Sequence, residues 1–145
     1  MLIVDLDNCI SHDQWRLGLI RWDTDNMFIR FHGYHAACVG DQPGNLHILT
    51  EPYVIFTARP ETYRRHTEQW LRQHKLTPYA VHMRRDGDHR PSLIVKEEMT
   101  LKVIQHSITM AYDDRNDIVE MYQRHGIAAT RLCLYEGGID GKNGC

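Results

Sequence analysis

Two aspartates stand two residues apart in Asp5-Leu6-Asp7-Asn8-Cys9, directly after the apolar run at residues 1–4. Carboxylates at that spacing, beyond a buried strand, share one edge of a sheet and repel each other unless a cation lies between them or one is protonated. A second acidic pair, Asp113-Asp114, follows another strand-like run at residues 109–112. Four acids converging on one sheet edge form the hard oxygen-ligand set that Mg²⁺ prefers. Thr57 closes a third apolar run at residues 53–56, with Ala58 and Arg59 after it, and Lys96 lies near the start of a helical stretch. A hydroxyl, backbone N–H groups at a helix start and a lysine are the donors that hold a phosphoryl group with charge on its equatorial oxygens. Singly each has an ordinary alternative: a turn or capping acid, a strand-end hydroxyl, a solvated helix lysine. Together they point to metal-assisted phosphoryl chemistry.

The elements that would position these groups are legible in order. Runs at 1–4 and 53–56 read as fully buried parallel strands with polar residues at their carboxyl ends. Weaker strands are expected at 79–83, 109–112 and 128–134. Helices are expected from Pro60 as a first helical residue to His74, from Ser92 to His106, and from an N-capping Asn116 to Gly126. The alternation predicts an α/β fold, a parallel sheet with helices on both faces and ligands bound beyond the carboxyl ends of the strands. Between residues 8 and 51 the pattern changes. Residues 15–22 and 27–31 flank Asp23-Thr24-Asp25-Asn26, a turn-rich tetrapeptide suited to a flap hairpin. Residues 40–44 read as loop.

Length and composition agree with one domain. The 145 residues, 42% hydrophobic and 25% charged, suit a single folded unit over residues 1–135, with a flexible tail at 136–145. A formal charge of −2 gives no bulk attraction for a polyanion or an anionic membrane, so any nucleic-acid contact must be a local basic patch. No apolar run approaches a membrane span and no cleavage-site pattern follows the first strand, so a cytoplasmic protein with no membrane partner is expected. Cys9, Cys38, Cys133 and Cys145 lack paired spacing and read as reduced thiols, and the ten histidines are scattered rather than grouped for metal. A GxxxxGK[ST] phosphate loop is absent, so no kinase half is expected. Oligomeric state has no signature.

Asp-x-Asp, then Thr57, then Lys96, then Asp113-Asp114, in this order, resembles the haloacid dehalogenase (HAD) superfamily of phosphotransferases. Val95-Lys96-Glu97-Glu98, Tyr112-Asp113-Asp114-Arg115, Ile118-Val119-Glu120-Met121 and Arg124-His125-Gly126 look like the 3′-phosphatase domain of T-even phage polynucleotide kinase. The likeness extends to Gly87-Asp88-His89-Arg90 and to Arg16 and Arg59, which align with basic substrate-site residues there. It departs at Asn8-Cys9, where Gly-Thr is usual, and at Ser92, where that domain carries a functional Asp; Asn tolerates the left-handed turn that Gly would take.

The resemblance implies a HAD-like sheet with no large cap, Mg²⁺ as cofactor, Asp5 as nucleophile and Asp7 as acid and base. It implies metal held by Asp5, the Asp7 carbonyl and Asp114, with Asp113 as a further acidic partner, and Thr57 and Lys96 as phosphoryl donors. Asn8, Ala58, Arg16 and Arg59 would bind substrate. A nucleic-acid end with a 3′-phosphate is then the expected substrate, with Arg84, Arg85 and Arg90 nearby and Trp15 or Trp22 as a stacking face; those arginines could equally be a solvated rim and the aromatics flap core. A nucleotide or small phosphomonoester on the same fold, and a catalytically silent phosphate-binding module, are the competing readings.

Overall fold

The computed structural model describes residues 1–103 and 107–137. β1 (Leu2–Val4) leads into an insert containing β2 (Ser11–His12), a 3₁₀ segment (Gln14–Leu19), α1 (Met27–Ala36) and β3 (Gln42–Pro43). Strands and helices then alternate: β4 (Tyr53–Pro60), α2 (Arg64–Gln73), β5 (Ala80–Arg84), α3 (Ser92–Val103), β6 (Met110–Asp113), α4 (Asn116–Arg124) and β7 (Ala129–Arg131). Five strands make one sheet in the order β5-β4-β1-β6-β7, every pairing parallel.

Alternation along β1 divides the core. Leu2 and Val4 pack with Ile55, Trp70 and Leu71 on the α2 face, while Ile3 packs with Val54, Phe56, Val95, Met99 and Ile118 on the α3 and α4 face. In α2, Thr67, Trp70 and Leu71 are buried at the i, i+3, i+4 spacing of one helical face. Gly126, just past α4, has φ +76, the left-handed conformation that ends a helix at little cost when Cβ is absent.

The insert is where expectation and structure part. Residues 23–26 are not a hairpin turn; the Asn26 side chain accepts the Ile29 N–H at 3.0 Å and caps α1. Short polar residues serve a turn and an N-cap equally well, so local chemistry could not choose between them. Residues 15–22 are largely 3₁₀ rather than strand, and part of the expected 40–44 loop is β3, paired antiparallel with β2.

Pro60 ends β4 in extended geometry (ψ 152) instead of opening α2, beyond a register shift between Thr57 and Pro60. Asn116 is the first residue of α4 and not its cap, a place taken by Arg115 without a side-chain bond. The final strand is shorter than expected. Residues 104–106, the end of the expected second helix, and 138–145, most of the expected tail, lie outside the described residues. Cys9 and Cys38 are free and buried, but Cys133 is disulfide-bonded, which corrects the expectation of four reduced thiols. No helix among the described residues is long and apolar enough to cross a membrane.

Candidate active site

From β1 the chain passes to β4 and β5 on one side, then crosses to β6 and β7 on the other. β1 is therefore the switch point, and a crevice opens beyond its carboxyl end. Asp5 emerges there, its N–H donating to the Tyr112 carbonyl at 3.0 Å. The chain then turns sharply: the N–H groups of Cys9, Ile10 and Ser11 all donate to the Leu6 carbonyl, and Asn8 takes φ 60. The Asn8 carboxamide accepts the Leu134 and Tyr135 N–H groups and donates to Asp114 Oδ2 at 3.3 Å and to the Tyr135 carbonyl. It ties the first motif to the last rather than pointing a free amide at a ligand.

Asp5, Asp113 and Asp114 each offer a carboxylate oxygen, all within 4.8 Å of one another. Lys96, from the first turns of α3, is buried between two of them, with Nζ donating to Asp5 Oδ1 at 2.7 Å and to Asp113 Oδ2 at 2.5 Å. Burial, then the Asp113 charge, raises the Asp5 carboxyl to about 7 against the pull of Lys96. Burial with the Asp5 and Asp113 charges raises Asp114 to about 9. Burial disfavours the Lys96 ammonium, but Asp113 and Asp5 outweigh it and hold it charged far above its usual range. One ammonium cannot neutralise three carboxylates, so this cluster fits a further cation.

Asp7 faces the other way. Its carboxylate takes Arg59 Nε and Nη2 at 3.1 and 2.6 Å and Arg16 Nη2 at 2.7 Å. Burial favours its protonated form, but Arg59 and then Arg16 overcome that and hold it well below the usual carboxylate range. The side chain is 22% exposed, whereas both guanidiniums are 0% exposed. Their remaining donors go inward: Arg16 to Asp41 and the Tyr34 carbonyl, Arg59 to Thr67 and Ser11. The two arginines expected to bind substrate thus grip Asp7, and its carboxylate lies outside the cluster that could hold a metal.

Asp41 is the residue sequence reasoning missed. Its carboxylate receives Ser11 Oγ, Trp15 Nε1 and the Arg16 guanidinium, and its carbonyl receives Trp70 Nε1. It fastens the insert to α2. A lone acid in a Gly- and Pro-bearing stretch carries no motif, so only tertiary contacts reveal it. Trp15 gives its indole N–H to this bond and does not line the active-site cavity.

That cavity has a volume of about 600 Å³ and takes in Asp5, Asp7, Asn8, Thr57, Ala58, Arg59, Lys96 and Asp114. Thr57 Oγ1 accepts the Arg59 N–H at 3.2 Å, and the Ala58 carbonyl accepts Arg84 Nε at 2.9 Å. Arg84 also holds the Asp88 and Arg90 carbonyls and Ser92 Oγ, shaping the loop on the far lip. His35 lines the cavity too, a residue without any sequence signal; burial pushes its imidazole down to about 3, and Nδ1 is buried without a partner.

A five-stranded parallel sheet with an aspartate pair delivered by its central strand, and only a small insert beside it, defines a HAD-like Rossmannoid fold with no large cap among the described residues. The family model for the polynucleotide kinase PNKP phosphatase domain matches residues 1–133, and the chain belongs to that family. Two solved structures share the fold. The Pnkp1/Rnl/Hen1 RNA repair complex contains a chain 20% identical, with a TM-score of 0.68 over 90% of this chain and 41% of that chain. A second Pnkp1/Rnl/Hen1 complex gives 20% identity and a TM-score of 0.68, covering 92% of this chain and 46% of that one. The chain spans less than half the length of either.

Proposed function

We propose that the protein is a Mg²⁺-dependent phosphomonoester hydrolase that removes 3′-phosphates from polynucleotide ends through an aspartyl-phosphate. The observation that carries this reading is the buried Lys96 bridging Asp5 and Asp113 beside Asp114 at the switch point. Within a family of nucleic-acid-end phosphatase domains, that is the equipment for attack on phosphorus by a carboxylate.

Asp5 attacks in line, its oxygen forming the new bond to phosphorus as the bond to the leaving 3′-oxygen breaks. Lys96 and the Thr57 hydroxyl bear on the equatorial oxygens, where charge gathers. Asp7 gives its proton to the leaving alkoxide, then takes one from the water that attacks phosphorus, releasing inorganic phosphate and restoring Asp5. Arg59 and Arg16 keep Asp7 ionised in the substrate-free protein, and an incoming phosphate dianion opposes them by favouring the protonated form. Their role in this reading is to aim Asp7, which replaces the expected direct grip on substrate. Asp5, Asp114 and the Asp7 carbonyl would hold Mg²⁺, with Asp113 behind them. Bound there, the ion would offset the negative charge that otherwise opposes a carboxylate meeting a phosphate dianion.

A substrate panel tests the reading. With Mg²⁺, a 3′-phosphorylated oligonucleotide should be turned over faster than its 5′-phosphorylated isomer and faster than mononucleotides. A preference for mononucleotides would move the activity to a nucleotidase, and no turnover of any of them or of an aryl phosphate would make the chain a phosphate-binding module.

Metal dependence has a second readout in stability. Folding raises Asp5 from 3.8 to about 7 and Asp114 from 3.8 to about 9. The folded state therefore binds more protons than the unfolded one through that window, and metal-free stability falls as pH rises across it. Thermal melts should show the midpoint in chelator dropping between about pH 5 and pH 9, and Mg²⁺ raising it most at the alkaline end. Asp114→Ala should flatten that profile and raise the Mg²⁺ concentration that turnover requires. Activity undiminished in chelator would remove the acidic cluster from the reaction.

A further inference from the structure

One buried acid in the lining of the active-site cavity has no part in the hydrolysis described above. Asp13 is 2% exposed and both of its carboxylate oxygens are occupied, Oδ2 by the Tyr34 hydroxyl at 2.5 Å and Oδ1 by the Tyr135 hydroxyl at 2.6 Å. Burial and the Asp7 charge favour its protonated form, and the two phenol bonds oppose them. A carboxylate enclosed in this way does not meet substrate; it fixes the groups around it.

Those groups lead to Asp7. The Asp13 carbonyl accepts the Arg16 N–H at 2.9 Å and opens the 3₁₀ segment that carries this arginine. Tyr34 touches Arg16 as well: its carbonyl accepts Nη1 at 2.8 Å, and the guanidinium carbon stands 4.3 Å from its ring centroid. Arg16 then delivers Nη2 to Asp7 Oδ1 at 2.7 Å.

Tyr135 reaches Asp13 from the other end of the chain, and its own place is set by the turn that follows Asp5. Its N–H and that of Leu134 donate to Asn8 Oδ1, and its carbonyl accepts Asn8 Nδ2. Leu134 packs so closely over Gly44 that a Cβ there would lie 2.4 Å from Cδ2, and the Tyr135 ring lies 5.4 Å from His12. The segment after β7 therefore has its backbone on the turn beside the nucleophile and its hydroxyl on the acid that seats Arg16.

We propose that Tyr135 is a positioning residue: acting through Asp13 and Arg16, it holds Asp7 in line to protonate the leaving alkoxide. The inference rests on the reading of Asp7 as acid and base, and it makes the segment after β7 part of the active site.

The test sets a 3′-phosphorylated oligonucleotide, whose sugar alkoxide needs a proton to leave, against an aryl phosphate, whose phenolate leaves without one. With Mg²⁺, kcat/KM covers the steps up to departure of the leaving group, and its ratio for the two substrates cancels the fraction of protein that is folded. Tyr135→Phe should lower kcat/KM about 10-fold on the oligonucleotide, through kcat, and less than about 2-fold on the aryl phosphate. Asp7→Asn should show the same split with a larger loss, about 100-fold or more on the oligonucleotide, because Arg59 still grips Asp7 when Tyr135 is changed. Asp13→Asn should reproduce the split, and the double variant with Tyr135→Phe should lose no more than the worse single one, as residues acting in series do. Equal losses on both substrates from Tyr135→Phe, or no loss on either, would overturn the proposal, as would additive losses in the double variant. Asp7→Asn slowing both substrates alike would instead overturn the acid and base reading on which it rests.

Discussion

Asp5→Asn is expected to lower turnover of a 3′-phosphorylated oligonucleotide by at least about 1,000-fold, as loss of a covalent nucleophile does when nothing substitutes for it. The amide keeps the shape of the carboxyl but removes the charged oxygen that attacks phosphorus. The fold should survive, since Asn can still accept the Lys96 Nζ bond that Asp5 Oδ1 receives at 2.7 Å. Removing one of three crowded carboxylates also relieves the repulsion that, on top of burial, lifts Asp114. A thermal midpoint in chelator at or above that of the parent protein, with turnover lost, is the combined expectation. Single-turnover assays and melts on the same preparation check both halves, and retained turnover would remove Asp5 from the nucleophile's role.

Lys96→Met should act in the reverse sense, on stability as much as on rate. Lys96 and Asp113 are almost wholly enclosed, with side chains 3% and 0% exposed. Taking away one partner of a buried ion pair strands the other and typically costs about 3–5 kcal/mol. Here the loss should be largest in chelator above neutral pH, where Asp5 and Asp114 would otherwise ionise. It should shrink toward pH 4 as the carboxyls take up protons, and Mg²⁺ should recover part of it. Turnover should fall about 100-fold or more even with saturating Mg²⁺, because a donor to the phosphoryl oxygens is gone. Urea titrations at pH 5 and pH 8, with and without Mg²⁺, measure the pattern. A loss independent of both pH and metal would mean that Lys96 merely fills space.

Asp5, Asp7, Thr57, Lys96, Asp113 and Asp114 were legible because each sits at the carboxyl end of an apolar run or on a helix beside one. Strand burial and strand direction are written in hydrophobic pattern, and parallel strands alternating with helices leave their polar ends at one edge of the sheet. The five-stranded architecture followed from that pattern alone. The left-handed turn at Asn8, φ 60, was expected from the family resemblance, which places Gly there, because a short carboxamide tolerates positive φ.

The tertiary structure decided which way each side chain works. Arg16 and Arg59 are arginines near a phosphate site by sequence, and their types suit substrate phosphates equally well. Only packing reveals that Arg16 within the insert and Arg59 beyond β4's core are both buried and turned onto Asp7, with Asp41 balancing Arg16 from behind. The insert itself could be read as a hairpin because Asp23-Thr24-Asp25-Asn26 is chemically competent for either a turn or a helix start. Contacts with distant residues, Tyr34 with Asp13 and His32 with Tyr63, accompany the helix. Pattern along the chain reports burial and period, which are local averages; the partner of a particular charge depends on residues dozens of positions away, and only the folded chain brings them together.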